Sequence, residues 1–304
     1  MSNEEQAIVR ADKLLGAVMK RIHSYGDKGP RGLATGFTSL DRILRSGLEG
    51  GRLIVAAGHQ YVGTTAFALR IAEHLSIDSG VSVLYFTLDT GREVLVERML
   101  LSRAKVDSHA AHHGKFSEDD LVRMEKAASE MLDKPLYVED TPRLTPSEVR
   151  VKAKELKDSK GVKCIIVDFL QAMHLNGKAD LQQKDFEEIS RELKLMALEL
   201  NVPVILLVEL CFDLIRKEEM GCQPRMADLG KAIMVERFAD VLSLINRPGF
   251  YYTESPVDNR VELVVTRNKY GPTGDARLEF KPGYGRFENP DYTEWFRLRD
   301  KVNP

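Results

Sequence analysis

Cysteine is scarce in this chain, and the three residues present, Cys164, Cys211 and Cys222, are too scattered for a disulfide framework or a zinc site. Unpaired thiols fit a reducing cytoplasm. No run of 18 apolar residues passes without a charge, which excludes a helix that crosses a membrane. The opening MSNEEQAIVRADKLL has no continuous apolar stretch of the signal-peptide kind, so a cytoplasmic location is expected. Excess charge is also missing: 44 basic and 46 acidic residues leave a net −2. Any contact with nucleic acid must therefore come from a local patch and not from a global field. Internal repeats and low-complexity tracts are absent. What remains is the composition of a soluble globular protein, 43% hydrophobic and 30% charged over 304 residues, with enough chain to bury a substantial core.

The most informative segment is residues 58–65, GHQYVGTT. It has the outline of a phosphate-binding loop, Gly-x-x-x-x-Gly-Lys-[Ser/Thr], with Thr64 where the lysine belongs. Gly58 and Gly63 allow the backbone to curl so that its N–H groups point at phosphate oxygens. The lysine would neutralise the β- and γ-phosphates. Thr65 stands where a hydroxyl would ligate Mg²⁺. An ordinary strand-to-helix turn has the same outline, so the loop alone leaves both readings open.

Its surroundings alternate between strands and helices. Residues 52–57 form a buried-strand run ahead of the loop, and a helix follows over about 64–75. Further strands are expected at 81–88, 135–138, 163–168 and 202–209. Helices are expected at 92–104, 117–132 (Ser117 as N-cap), 145–156 (Pro146 in its first turn) and, for roughly four turns, 185–200. Strand-like stretches DVLSLI, VELVVTR and ARLEF follow residue 240. Strongly apolar strands alternating with helices argue a parallel sheet covered on both faces. Ahead of all this, Ile8, Ala11, Leu15, Val18 and Ile22 recur at spacings of three and four, the stripe of an amphipathic helix, and a Gly/Pro-rich stretch at 26–36 reads as a linker. The stripe must be buried either on its own domain or on a neighbouring subunit. The expected division is residues 1–34 as linker helix and linker, and residues 35–304 as one domain.

Three acids fall at strand ends. Asp168 closes CIIVD, which puts a carboxylate at the carboxyl end of a buried strand, where ligands bind in such sheets. Asp89 follows VSVLYFTL and Glu209 ends VPVILLVE. Either can serve chemistry, and either can be a solvated strand-end acid.

With these elements in this order, the chain resembles the C-terminal motor domain of the bacterial replicative helicase, the DnaB family. The resemblance rests on GLATGFTSLD at 32–41, LTPSEVRVKAKEL at 144–156, IIVDFLQAM at 165–173, EISRELKLMALELNVPVI at 188–205 and NKYGPTGDARLEF at 268–280. It implies an α/β, RecA-like P-loop NTPase fold, a mostly parallel sheet flanked by helices and preceded by a linker helix that packs on the adjacent subunit of a hexameric ring. No stretch here is expected to supply the family's N-terminal collar domain. The implied cofactors are ATP and Mg²⁺, and the implied partners are other copies of the chain in a ring, single-stranded DNA, and a replicative helicase or loader, with no membrane.

Carried over residue by residue, the resemblance assigns Gly58, Gly63, Thr64 and Thr65 to nucleotide binding, and Thr65 and Asp168 to the metal. Asp89 matches the water-activating glutamate but is one methylene shorter. Glu209 matches a glutamine that senses the γ-phosphate, and an ionised carboxylate beside phosphates is unfavourable. Arg267 and Lys269 match a trans-acting Lys-x-Arg pair, so the finger position holds a lysine without arginine's bidentate fork. After Asp228 and Leu229, Gly230 and Lys231 replace the family's Arg-Glu pair. Lys231 and Arg92 are candidates to restore the charge that Thr64 lacks. DNA contact is expected from Lys178, Lys184, Arg216 and Lys217, on two loops, the second of which Asp213, Glu218 and Glu219 make mixed in sign; a solvated loop is the alternative. His109, His112 and His113 share helical spacing with the look of metal ligands, but a polar helix end or loop is the simpler account.

Two functions follow from the resemblance. One is an ATP-dependent motor of the replicative-helicase type with weakened or lost hydrolysis. The other is a non-catalytic ring-former or regulator acting on a helicase or DNA without turnover, favoured by the departures at Thr64, Asp89, Glu209 and Lys269. A RecA-like ATPase of another role is the third, and GLATGF and the linker helix argue against it.

Overall fold

A computed structural model describes residues 9–23, 31–175, 178, 180–211, 223–251 and 259–293. Helix α1 (Ala11–His23) comes first. Its stripe is not buried on this chain: Leu15 is 59% and Ile22 47% exposed, and Leu14 and Met19 are exposed with them. Of the two resting places for the stripe, packing on its own domain is therefore not seen.

The domain proper opens with α2 (Thr38–Leu44), β1 (Leu53–His59), α3 (Thr64–Glu73) and β2 (Val83–Thr87). There follow α4 (Arg92–Ala104), α5 (Ser108–His112), α6 (Glu118–Met131), β3 (Leu136–Glu139), α7 (Pro146–Lys160), β4 (Cys164–Asp168), α8 (Gln183–Leu200) and β5 (Val204–Leu210). Strands β6 (Val241–Asn246), β7 (Arg260–Asn268), β8 (Gly274–Lys281) and β9 (Arg286–Glu288) complete it. Among the described residues they form one sheet in the order β3-β2-β4-β5-β1-β6-β7-β8-β9. The first six in that order pair in parallel and the last three add on antiparallel, so the expected α/β fold is present.

Strand periodicity explains the two cores. Side chains alternate faces along a strand, and β1 splits accordingly. Ile54 and Ala56 pack with Phe67, Ile71 and Leu40 of α3 and α2. Leu53, Val55 and Ala57 pack with Ile189, Leu193 and Ala197 of α8 and Val149 of α7. Both faces are covered, so β1 is buried throughout and reads as a continuous apolar run. Helix starts follow their caps. Ser117 and Thr145 each accept a bond from the backbone three residues on, with Asp120 and Glu148 returning it.

Three features depart from the expected pattern. The helix after the loop ends at Glu73 and passes into a π-turn, His74–Asp78, where Ser76 Oγ donates to Ala72 O at 2.7 Å. Glu73 is pinned there by Arg286 (2.7 and 2.8 Å) and Arg103 (2.6 Å). A 3-10 stretch, Met226–Arg237, kinks at Gly230 (φ 52°, ψ −124°). A Cβ at Gly230 would lie 2.8 Å from Cys211 Sγ, so a glycine at the family's Arg-Glu position goes with a close approach of the chain after β5. The short strand β9 is not expected from the sequence pattern; it closes over Gly63 through Phe287.

Candidate nucleotide site

Because β1, β2, β4 and β5 run parallel, their carboxyl ends emerge at one edge of the sheet, where such folds bind ligands. A cleft of about 530 Å³ lies there. It is lined by Gly58, Gly63, Thr64, Thr65, Asp89, Asp168 and Glu209 among others, so the structure gathers every residue expected at the nucleotide and metal positions of one chain.

The loop has the shape of a phosphate cradle. Gly63 takes φ 106°, a conformation that favours glycine, and no side chain caps the start of α3. The first N–H groups of the helix are thus left for the oxygens of an anion. A Cβ at Gly58 would meet Val62 Cγ1 at 2.6 Å and Thr64 Oγ1 at 2.9 Å, so the loop closes tightly over the strand end and the Thr64 hydroxyl lies against it. Tyr61, at φ 65°, stands out at the tip, 80% exposed.

The acids are set by contacts between strands. Asp168, buried, accepts a 2.8 Å hydrogen bond from the hydroxyl of Tyr85 on the neighbouring strand, and a second from the side chain of Thr65. Burial raises the Asp168 carboxyl above its ordinary range, against the pull of these two bonds and of Arg98; Asp89 adds to the rise. Burial and then the Asp168 charge push the Tyr85 phenol well above its ordinary range, so it stays a donor. The N–H of Leu88 donates to the carbonyl of Asp168 at 2.8 Å, which brings the exposed Asp89 beside Asp168. Glu209 sits directly opposite Gly58 in the β1–β5 pairing. Its backbone is clamped on both sides by the amide of Gln171, with Nε2 donating to Glu209 O at 2.6 Å and Oε1 accepting from Glu209 N at 3.1 Å. Burial, and then the Asp89 charge, raise the Glu209 carboxyl too. A hydroxyl bonded to a carboxylate beside free helix N–H groups suits a magnesium–phosphate ligand, so the residues fit ATP with Mg²⁺ despite Thr64.

The sequence of the domain agrees with its architecture. Residues 32–289 match the family described as DnaB-like helicase C terminal domain. The chain belongs to this family. It is 34% identical over 259 residues to the replicative DNA helicase DnaC of Bacillus subtilis, and 32% identical over 259 residues to the replicative DNA helicase DnaB of Geobacillus stearothermophilus. Each alignment covers 85% of this chain and 56% of the relative, so the chain spans about half the length of these curated relatives. Among solved structures, a free-standing ATPase domain superposes with a TM-score of 0.85 at 27% identity, over 94% of this chain and all of that one. A DnaB-like replicative helicase studied with its primase gives 0.82 at 27% identity, over 95% of this chain and 69% of that one. The mostly parallel, RecA-like sheet is that of these DnaB-like domains.

Other expected residues of this DnaB-like domain lie away from the cleft. Arg267 pairs with Leu242, and Leu242 with Val55 near the start of β1. Arg267 and Lys269 therefore sit at the edge opposite the cleft, where they face Glu236 and Asp240 at 3.8 and 3.9 Å. A bulge between Leu242 and Ser243 interrupts the β7 register here. Arg92 is tied to Asp140 by an ion pair and a 3.0 Å backbone bond, outside the cleft, and Lys231 does not line it. Neither restores the charge absent at Thr64. Lys178 is paired with Asp185, whereas Lys184 is exposed on the first turn of α8. Arg216 and Lys217 lie outside the described residues. The three histidines are explained locally. Asp107 caps α5 through Ala110 N (2.8 Å), and His112 and His113 bond the carbonyls of Ser108 and His109. No cluster of histidine, cysteine and acidic side chains able to hold a metal occurs among the described residues.

Sequence reasoning missed Tyr85, Gln171 and Arg98. Gln171 follows Asp168 by three residues, the reach of one turn, and Arg98 follows Val94 by four, one helical turn; those spacings are the available signals.

Proposed function

We propose that this chain is a nucleotide-binding ring motor domain of the replicative-helicase type whose ATP hydrolysis is weak. It binds ATP with Mg²⁺ in the cleft, assembles with other copies into a ring in which a neighbour completes each site, and tracks single-stranded DNA by phosphate contacts. The observation that carries this reading is the cleft itself, with cradle, Thr65–Asp168 pair, Asp89 and Glu209 at one strand edge. Magnesium, when bound, neutralises charge across the β- and γ-phosphates. Asp168 and Thr65 would hold it, and the first N–H groups of α3 would hold phosphate oxygens. Asp89 would orient water from a shorter arm than a glutamate.

Weak hydrolysis is supported by the charge balance. Asp89, Asp168, Glu209 and Glu97 line the cleft, and the loop offers a neutral Thr64 where charge-assisted bonds are about twice as strong as neutral ones. The second reading, a regulator that joins a helicase or its loader without turnover, rests on the departures at Thr64, Asp89, Glu209 and Lys269.

Nucleotide binding and turnover, wild type against Thr64→Lys, test the proposal. The wild type is expected to bind ATP–Mg²⁺ and turn over slowly, with the variant binding about tenfold tighter, a difference of about 1.4 kcal/mol. Ordinary turnover by the wild type sinks the weakened-motor reading. Absence of ATP–Mg²⁺ binding together with a stable ring favours the regulator.

A further inference from the structure

We infer that Arg98 supplies the bound polyphosphate with the positive charge that the loop lacks at Thr64. The inference rests on the reading of the cleft as an ATP–Mg²⁺ site and adds a residue to it that neither the loop motif nor the resemblance assigns.

Helix α4 leaves the Asp89 turn and runs along the cleft. Val94, Glu97, Arg98 and Leu101 recur at spacings of three and four, so they share one face, and all four line the cleft together with residues of the 58–65 loop. Arg98 is exposed there and makes no hydrogen bond or ion pair among the described residues. Its charge is felt by Asp168 and by Tyr85 beside it, which puts the guanidinium on the metal-and-phosphate side of the cleft.

The other cations near the loop are engaged. Arg70 also lines the cleft but faces Glu73 at 3.8 Å and Asp78 at 3.5 Å. Arg247 donates to Val62 O at 3.3 Å and stacks on the Phe280 ring at 3.9 Å. Arg92 is held by Asp140. A planar guanidinium with five donors, in a cleft rich in carboxylates, suits the oxygens of a polyphosphate. Arginine also carries a long stem, so it reaches from α4 what a lysine would reach from the loop.

The test is equilibrium binding of ATP, ADP and AMP with Mg²⁺, read by calorimetry, for the wild type, Arg98→Gln, Arg98→Lys, Thr64→Lys and the double variant Thr64→Lys with Arg98→Gln. Arg98→Gln is expected to weaken ATP about tenfold or more, ADP less, and AMP hardly at all, with Arg98→Lys recovering most of the loss. The unfolding temperature should stay unchanged, because Arg98 is not bonded within the fold. Thr64→Lys should raise affinity more in the Arg98→Gln background than in the wild type, since one charge then replaces the other. Equal ATP affinity of wild type and Arg98→Gln, with binding intact, overturns the inference and leaves the reading of the cleft standing. An equal gain from Thr64→Lys in both backgrounds also overturns it. No ATP–Mg²⁺ binding by the wild type overturns the reading of the cleft and the inference together.

Discussion

Tyr85 donates its hydroxyl to Asp168 across 2.8 Å, from a phenol wholly enclosed by the sheet. The bond holds the carboxylate at the end of β4 in a place too dry for a free charge, and the Asp168 carboxyl is raised by that burial. A folded-state value above the unfolded one means that the folded chain binds the extra proton, so stability falls as pH rises through the range above ordinary carboxylate values. Glu209 acts in the same sense.

Asp168→Asn should therefore raise the unfolding temperature of the nucleotide-free protein by a few degrees at pH 7 and flatten its decline as pH rises above the ordinary carboxylate range. Asparagine keeps an acceptor for Tyr85 and gains a donor toward Thr65. The same variant should lose the added stability that Mg²⁺ with ATP confers on the wild type. Thermal melts across pH, with and without Mg²⁺–ATP, give both readings, and a destabilised variant at pH 7 would contradict the account.

Arg267 and Lys269 lie at the far end of the strands from the cleft of their own chain. In a Thr64→Lys background, where turnover is measurable, Arg267→Ala and Lys269→Ala should lower turnover on the order of 10²-fold at assembling concentrations. The affinity of the dilute chain for ATP should stay close to that of the parent, because the pair does not reach that chain's own cleft. An equal loss of affinity at dilution would mean that these residues serve the cleft of their own chain.

Helix α1 keeps Leu14, Leu15, Met19 and Ile22 exposed. Leu15→Asp with Ile22→Asp should weaken self-association, seen as a shift toward smaller species in sedimentation velocity. The unfolding free energy of the domain should stay within about 0.5 kcal/mol, as for other exposed positions. Unchanged assembly would remove α1 from the contact between copies.

Much of this architecture could be read from the chain. The alternation of apolar strands and helices, the bounds of α4, and the caps Ser117 and Thr145 are local properties, and the structure keeps them. The residues around the phosphate cradle were legible because motif spacing fixes them relative to one another. The remainder depends on contacts between distant segments. The π-turn at His74–Asp78 goes with Arg286 reaching Glu73 from 213 residues away. The clamp of Gln171 on Glu209 joins the ends of two strands. Arg98 carries no motif; only the placement of α4 over the loop makes it part of the cleft. Arg92 and Lys231 failed as sources of charge for the same reason, since nearness in sequence to a site does not fix which way a helix or turn faces.

The parallel strands of the sheet give the molecule a direction. A cleft at one end of β1 and a basic pair beside its other end are unlike surfaces, so contact between them joins two copies head to tail. A two-fold axis cannot generate such a junction. The contact repeats until the rotation per copy closes the circle, and if it does not close, it climbs into a helical filament. Each copy then takes part in two unequal junctions, donating to one and receiving at the other. Spoiling the cleft silences one junction, and spoiling the basic pair silences the next one round.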